Sequence, residues 1–422
     1  MMKEINFKYN NLDFKLIQTD KYKITTGVIF FIRPLEKEDF TYYTLLNRLI
    51  GSCSVKYPTK NSIVNKEYEL YDCSVYMTTN YAYKSANTSF VFSTISDKIV
   101  NNKTLTKDVI QLLHEIMMNP LIEDGGFSQK NFLEEKRGLE SDIKNLYNNK
   151  KRYSLKRLLE TIAPNDIISA SSLGDLEVLN KITPQSLYEF YLKILNESYV
   201  RIGVIGDITE EEVKDCFSNF NFNSINNKGE LYPSEITQKG QVSQVTEKQD
   251  IIQAKLLVGF RFNINHNSTD KIKIIVFNSM FGGMFGSSLF MNIRENKSLA
   301  YDIASDLYLS KNILYVSCGI DSKNVELTSD LIIKELEQYK QGNIDESLLD
   351  NAKNFIINDL NEMSDYPFST LTYKMREDIY KSESIEETIE IVKKITIKDI
   401  IEISNKIILD SIFTLTPGDE ND

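Results

Sequence analysis

The sequence of 422 residues is poor in the residues that build disulfide and metal sites. Its four cysteines, Cys53, Cys73, Cys216 and Cys318, show no C-x-x-C spacing, which favours free thiols in a reducing compartment over a disulfide framework. Its only two histidines, His114 and His266, have neither a second histidine nor a glutamate at the one-turn spacing of a zinc-binding helix. We interpret both histidines as structural residues.

The chain also lacks an excess of positive charge and a long apolar run. Lys and Arg together number 49 against 60 Asp and Glu, and the net charge of −11 disfavours a nucleic-acid groove. The N-terminus has no apolar core of a signal peptide, and no later stretch approaches the roughly 18 apolar residues of a membrane span. We therefore expect a cytoplasmic protein that binds neither nucleic acid nor a membrane.

Enough apolar material is present for two domains, since 41% of the residues are hydrophobic. A polar stretch over residues 224–249, rich in Asn, Gln, Ser and Gly, separates two halves with the same order of predicted elements. In the first half these are strand 23–32, helix 37–50, strands 72–80 and 86–94, helix 103–118 and helix 128–147. In the second half they are strand 251–262, helix 268–281, strands 300–309 and 312–320, helix 323–340 and helix 346–363.

The repeated order indicates a duplicated domain. A shift of 217 positions superimposes the apolar positions of the two long helices, and the glycines of the two first strands are 232 positions apart, so the first half carries about fifteen extra residues in loops. Chance similarity of two α+β halves is the alternative. The sequence thus predicts an α+β fold of two homologous domains, each a mixed or antiparallel β-sheet backed by α-helices, in a clamshell arrangement. The predicted boundaries are 1–223, a linker at 224–249, and 250–422.

Hydrolase and nucleotide-binding functions lack their usual parts. There is no convincing base for a serine or cysteine nucleophile and no G-x-x-x-x-G-K-[ST] loop. The glycines Gly282, Gly283 and Gly286 are not followed by Lys-Ser or Lys-Thr, so we expect them to let a peptide approach the backbone rather than to bind phosphate.

The segment 281–301 carries the most specific motif of the chain. After the three glycines it reads LFMNIRENKSLAY over residues 289–301. It resembles the string L-F-x-x-I-R-E-x-x-x-L-A-Y in the second domain of the inverzincin peptidases, the family of mitochondrial processing peptidase, pitrilysin and insulinase. The resemblance implies that Arg294 and Tyr301, with the glycine-rich loop, bind the substrate backbone and stabilise the charge on the scissile carbonyl at a facing zinc site. Ordinary surface or core contacts of the two side chains are the alternative.

The resemblance extends over nearly the whole chain but fails at the metal motif. Residues 118–120, 132–142 and 204–208 resemble further family motifs, whereas the H-x-x-E-H helix is degenerate. Thr44 and Arg48 occupy the two histidine positions, Asn47 that of the general base, and Asp142 that of the distant zinc-binding glutamate. A guanidinium repels a divalent cation and an amide cannot accept a proton from metal-bound water, so we expect no metal and no catalysis here.

The resemblance is greatest to the inactive insulinase-like proteins of the YmfF type. It implies a non-catalytic subunit of a heterodimeric zinc peptidase, whose partner supplies zinc and the H-x-x-E-H helix while this chain helps to bind a peptide substrate. A homodimer in isolation is an open alternative. A structural or peptide-binding homologue with no part in proteolysis is the alternative function.

Overall fold

A computed structural model describes residues 2–233 and 241–418 of the chain. Within these residues the chain forms thirteen strands and fifteen α-helices. The strands are β1 Lys3–Tyr9, β2 Leu12–Gln18, β3 Ile24–Pro34, β4 Ser74–Ala82, β5 Ser85–Ile95, β6 Ile122–Glu123, β7 Gly126–Phe127, β8 Tyr199–Gly206, β9 Ser243–Gln249, β10 Ala254–Phe262, β11 Ala300–Tyr308, β12 Ile313–Ile320 and β13 Ile407–Pro417. The helices are α1 Asp39–Leu49, α2 Lys60–Glu69, α3 Asp97–Val100, α4 Leu105–Met118, α5 Gln129–Asn145, α6 Lys150–Ile162, α7 Leu176–Lys181, α8 Pro184–Asn196, α9 Glu210–Cys216, α10 Asp270–Asn278, α11 Val325–Gln341, α12 Glu346–Met363, α13 Pro367–Tyr380, α14 Ile385–Lys394 and α15 Ile397–Ser404.

All of the helices and strands predicted from the sequence are present. Their observed ends lie within about three residues of the predicted ones, which is the usual uncertainty of helix and strand boundaries. In the described part of the chain, no helix is both long enough and apolar enough to cross a membrane.

Two mixed sheets organise the chain. One has the order β1-β2-β8-β3-β5-β4 and the other the order β11-β12-β10-β13-β9. In each sheet neighbouring strands are antiparallel except for one parallel pair, β2 with β8 and β9 with β13. Counted from and including the edge strands β4 and β11, five strands have the same order and orientation in both sheets. This topology confirms the predicted α+β class with mixed sheets and agrees with a duplication.

The chain divides into two compact units. Among the described residues, the first unit comprises residues 2–144, 171–230 and 363–382, and the second comprises residues 145–170, 231–233, 241–362 and 383–418. These units differ from the predicted domains at two segments, because α6 belongs to the second unit and α13 to the first. Neither helix carries a local signal of this exchange, since both are ordinary amphipathic helices.

In the first unit, α13 covers one face of the sheet. Leu371 and Met375 are fully buried among apolar side chains of β2, β3, β5 and β8. Gly203 in β8 allows this approach, because a Cβ atom there would lie 2.2 Å from the Met375 sulfur. Apolar residues therefore cover both faces of β3, in which residues 25–32 are all buried.

Charged residues complete the contact between α13 and the sheet. The Lys15 side chain is only 2% exposed, and its ammonium nitrogen lies 2.8 Å from Glu4 and 3.1 Å from Asp378 of α13. Arg201 of β8 lies 2.6 Å from the same Asp378 carboxylate oxygen. A buried charge requires such partners, so this cluster supports the docked position of α13.

In the second unit, α6 packs on β10 and β13 in a comparable manner. A Cβ atom at Gly259 in β10 would lie 2.7 Å from a terminal carbon of Ile162 in α6. Arg261 of β10 donates hydrogen bonds to Asp410, at 2.8 Å, and to the carbonyl oxygen of Ile162, at 2.7 Å. The arginine thus satisfies a carbonyl group at the end of the helix.

The predicted linker at 224–249 is shorter in the structure. At its start, the backbone of Glu230 accepts a hydrogen bond from the Lys84 amide at 2.9 Å, and at its end Ser243–Gln249 forms β9. Residues 234–240 of the predicted linker lie outside the described residues. β9 is a polar edge strand with mostly exposed or half-exposed side chains, which explains why its composition resembles that of a linker.

Candidate functional site

Helix α1 of the first unit carries the residues that the sequence predicts at the degenerate metal motif. Phe40, Tyr43 and Leu46 bury its apolar side, which leaves Thr44, Asn47 and Arg48 half-buried on another face. The Thr44 hydroxyl oxygen lies 2.8 Å from the carbonyl oxygens of both Phe40 and Ser172, so its single hydrogen is donated within the protein.

Asn47, which is predicted at the position of the general base, is hydrogen-bonded to the sheet. Its side-chain oxygen accepts a hydrogen bond of 3.1 Å from the Thr79 hydroxyl of β4. Thr79 is 9% exposed, and its hydroxyl also lies 3.3 Å from that of Thr88. The Asn47 amide therefore has a structural contact with the sheet in place of an acid–base function.

Arg48 forms an ion pair with Asp142 of α5, the residue that is predicted at the position of the distant zinc-binding glutamate. The structure thus brings together two residues that lie far apart in the sequence. Their side chains are 29% and 50% exposed, so the pair contributes only about 0–1 kcal/mol to stability. The guanidinium neutralises the one carboxylate that the motif retains.

Two further residues of α5 surround Arg48. A Cβ atom at Gly138 would lie 3.0 Å from an Arg48 guanidinium nitrogen, so glycine gives the arginine room beside the helix. Burial raises the pKa of the Glu135 carboxyl, while the positive charges of Lys60 and Arg48 partly oppose the shift. Glu135 and Gly138 are not among the site residues predicted from the sequence. The seven positions between Glu135 and Asp142 correspond to two helical turns, and this spacing places Glu135 on the same face of the helix as Asp142.

This set of side chains does not fit a divalent cation. Three of the four motif positions hold a hydroxyl that donates its hydrogen to a backbone carbonyl, an amide bound to a threonine, and a guanidinium. Across the described residues, no group of three or more His, Cys, Asp or Glu side chains is placed to hold a metal ion. The retained carboxylate of Asp142 pairs with a cation that is part of the protein itself.

The glycine-rich loop of the second unit begins in the π-helical segment Ser279–Gly283, which contains Gly282 and Gly283, and is followed by the π-helical segment Phe290–Glu295. π-Helical turns are rare and occur frequently at functional sites. Gly282 lies close to β11, where an added Cβ would be 2.9 Å from the Ser305 backbone nitrogen. Gly286 has a φ of +76° and open space around it, and the neighbouring Phe285 is 87% exposed. The loop has a tightly packed base and an open tip.

Arg294 and Tyr301 are both accessible in the second unit. The Arg294 side chain is 43% exposed, its guanidinium carbon lies 4.8 Å from the centre of the Phe290 ring, and its Nε lies 3.7 Å from a Glu295 carboxylate oxygen. Tyr301, at the start of the edge strand β11, is 70% exposed. Neither side chain packs in the hydrophobic core. Their role in binding a substrate stays a prediction.

The two histidines make local contacts. The His114 ring packs edge-on against Phe220 with ring centres 4.8 Å apart, and burial lowers its pKa. The His266 ring stacks on Tyr232 at 3.7 Å, and its Nε2 lies 2.6 Å from the Asn312 side-chain oxygen. These contacts agree with the structural interpretation of both residues.

Part of this chain matches a protein-family model, and most of it is similar to a known protein. Residues 181–356 match the family model described as the peptidase M16 inactive domain. The chain is 27% identical over 389 residues to the probable inactive metalloprotease YmfF of Bacillus subtilis (strain 168), a match that covers 92% of this chain and 90% of that protein.

Solved structures agree with this relationship. A conserved protein from Enterococcus faecalis V583 has a TM-score of 0.92 and 26% sequence identity, with 99% of this chain and 100% of that chain covered. A peptidase M16 inactive domain from Pseudomonas fluorescens has a TM-score of 0.77 at 14% identity, covers 99% of this chain and 98% of its own, and so shares the fold.

Proposed function

We propose that this chain, an inactive-type homologue of the peptidase M16 family, is the non-catalytic subunit of a heterodimeric zinc peptidase. The observation that carries the proposal is the contrast between its two motifs. The metal motif is occupied by Arg48 and its ion pair, whereas the Arg294 and Tyr301 motif of the second unit is intact and accessible. A chain with that combination can bind a peptide but needs a partner for the chemistry.

In this proposal Arg294 and Tyr301 act on the substrate of the partner subunit. The guanidinium and the phenol hydroxyl donate hydrogen bonds to the peptide carbonyl group and stabilise the negative charge that develops on its oxygen during cleavage. The Glu295 carboxylate lies 3.7 Å from the Arg294 Nε, too far for a strong hydrogen bond, so the guanidinium has donors free for a ligand.

The peptide would lie as an added strand at a sheet edge. β11 is an edge strand of the five-stranded sheet and begins beside Tyr301, so its outer backbone groups can pair with an extended chain. The open tip of the loop at Gly286 would leave space for such a chain to approach.

Zinc and the general base would come from a partner chain with the H-x-x-E-H motif. This chain's own donor set does not fit the ion, since its remaining carboxylate, Asp142, is paired with Arg48. The four free cysteines, three of them buried, support the further proposal that the complex is cytoplasmic.

The test is to measure zinc content and peptidase activity for this chain alone, for an H-x-x-E-H relative from the same genome alone, and for their mixture. We expect a complex whose activity exceeds that of the relative alone and whose zinc resides in the relative. Stoichiometric zinc in this chain alone, or a mixture no more active than the relative, would refute the proposal.

The Arg294→Ala variant tests the role of the arginine within that pair. We expect a folded protein and a loss of transition-state stabilisation on the order of 2–4 kcal/mol in kcat/KM, the scale of removing one oxyanion donor. The matched control is Lys297→Ala, which removes an exposed positive charge three residues away. Equal activity of the two variants would exclude Arg294 from the mechanism.

A scaffold or peptide-binding homologue with no role in proteolysis is the second candidate. The observation that favours it is that Tyr301 faces solvent and that the Arg294 guanidinium already rests on the Phe290 ring. In that case the mixture would form a complex, or this chain alone would bind peptides, without any gain in peptide cleavage.

A further inference from the structure

A polar cluster behind the glycine-rich loop connects it to helix α11. Glu335 and Tyr339 lie one helical turn apart on this helix, and both point at the segment that follows the loop. The Tyr339 hydroxyl lies 2.7 Å from that of Ser288, and a Glu335 carboxylate oxygen accepts a hydrogen bond of 3.0 Å from the Asn292 amide. The helix therefore contacts the loop segment at two points by hydrogen bonds.

Tyr339 holds both ends of the loop. It is 1% exposed, and its ring packs edge-on against Phe281, which directly precedes Gly282, with ring centres 5.9 Å apart. Its hydroxyl contacts Ser288, two residues after Gly286 at the open tip. One buried side chain thus fixes the separation of the two ends, while Phe285 between them is exposed and Gly286 has open space beside it.

Glu335 acts on the π-helical segment that carries Arg294. Leu289 and Ile293 are buried and determine how deeply this segment sits, but apolar contacts do not fix its rotation strongly. The rotation is fixed by the directed hydrogen bond that Glu335 accepts from Asn292, two positions before Arg294. The Glu335 side chain is partly buried, and this burial raises the pKa of its carboxyl group.

We propose that Glu335 and Tyr339 are positioning residues that determine where the loop segment presents Arg294 to a bound peptide. This inference rests on the proposed function and names two residues that do not themselves touch the substrate. Both residues are needed to position Arg294, because Tyr339 fixes the distance between the ends of the loop and Glu335 fixes the rotation of the turn that follows.

The first experiment measures loop order in the isolated chain and does not need the partner. Amide hydrogen exchange over residues 284–296 is compared in the wild type, Glu335→Leu, Glu335→Gln and Tyr339→Phe. Gln retains an oxygen that can accept the Asn292 hydrogen bond, so we expect faster exchange in the Leu and Phe variants and little change in the Gln variant. Glu337→Leu, two positions along the same helix, is the control. Unchanged exchange in Glu335→Leu would overturn the proposal.

The second experiment measures kcat/KM of the reconstituted pair. We expect Glu335→Leu to lower it about tenfold, as a misplaced catalytic group does, and Glu335→Gln to restore most of that loss. Because Glu335 acts through Arg294, Glu335→Leu should have no further effect in an Arg294→Ala background. Equal losses in both backgrounds would overturn the positioning role.

The two experiments separate the two proposals. A wild-type pair that is no more active than the partner alone would refute the proposed function, and the exchange measurement would still decide whether Glu335 and Tyr339 order the loop. An active wild-type pair that is insensitive to Glu335→Leu would refute the positioning role alone.

Discussion

Replacing Gly203 by alanine is expected to loosen α13 from the sheet of the first unit. A Cβ atom at this position would lie 2.2 Å from the Met375 sulfur and 3.1 Å from a terminal carbon of Leu371. Both of these side chains are fully buried, so they have little free space into which they can move. The added methyl group must therefore displace the helix, distort the strand or force Met375 into another rotamer.

The expected cost follows from two opposing effects. Overpacking of a well-packed core costs about 1–3 kcal/mol. Methionine is flexible and can relieve part of this strain, and alanine reduces the entropy of the unfolded chain by about 0.4–1 kcal/mol relative to glycine. We therefore expect a net destabilisation of about 1–2 kcal/mol.

The assay is amide hydrogen exchange resolved along the chain, because a single unfolding curve does not assign a change to one of two units. We expect faster exchange in α13 and β8. The matched control is Gly259→Ala, which would place a Cβ atom 2.7 Å from Ile162 and should affect α6 in the second unit instead. Unchanged exchange of α13 in Gly203→Ala would refute the packing argument.

A double variant with Met375→Ala should lose less stability than the sum of the single variants, because the new methyl group fills part of the space that Met375 leaves.

Three further outcomes follow from the charged residues. In a double-mutant cycle measured by urea unfolding, Arg48 and Asp142 should show a coupling of about 0.2–1 kcal/mol, and a value above about 2 kcal/mol would contradict the surface character of the pair. Asp378→Asn should cost about 2 kcal/mol in the same assay, because it weakens the partner set of the buried Lys15 ammonium, and an unchanged stability would contradict this role. Burial lowers the pKa of Lys311 to about 8 in the folded protein, whereas in the unfolded chain this pKa is about 10.5. Between these pH values the unfolded chain binds more protons, so the free energy of unfolding should rise with pH by up to about 3 kcal/mol. Lys311→Met should remove this rise, and an identical pH dependence of stability in the variant would contradict the burial of the charge.

The secondary structure could be predicted from the sequence because its signals are local. The alternation and continuous apolar runs of β3 and β10, and the helical periodicity of α5 and α12, depend on residues within a few positions of each other. The polar strand β9 lies within the predicted linker, because an edge strand with little buried surface has no apolar pattern that would predict a strand.

The position of the degenerate site could also be predicted. Thr44, Asn47 and Arg48 are three and four positions apart, so any helix places them on adjacent parts of one face. Their residue types already argue against metal binding. The contacts of the site, in contrast, depended on the fold. The pairing of Arg48 with Asp142, and the positions of Gly138 and Glu135 beside it, require α1 and α5 to pack together, which no local pattern specifies.

By itself the sequence predicted the two-part α+β plan, because the patterns of helices and strands are local. Its resemblance to the inverzincin peptidases implied the loss of the metal motif and the retention of the Arg294 and Tyr301 motif. The tertiary structure alone decided that α6 and α13 belong to units other than those of their neighbours in the chain. It also decided that Glu335 and Tyr339 support the loop before Arg294. The physical reason is that these features are contacts between residues far apart in the chain, and such contacts depend on how buried surfaces of complementary shape meet rather than on any local pattern.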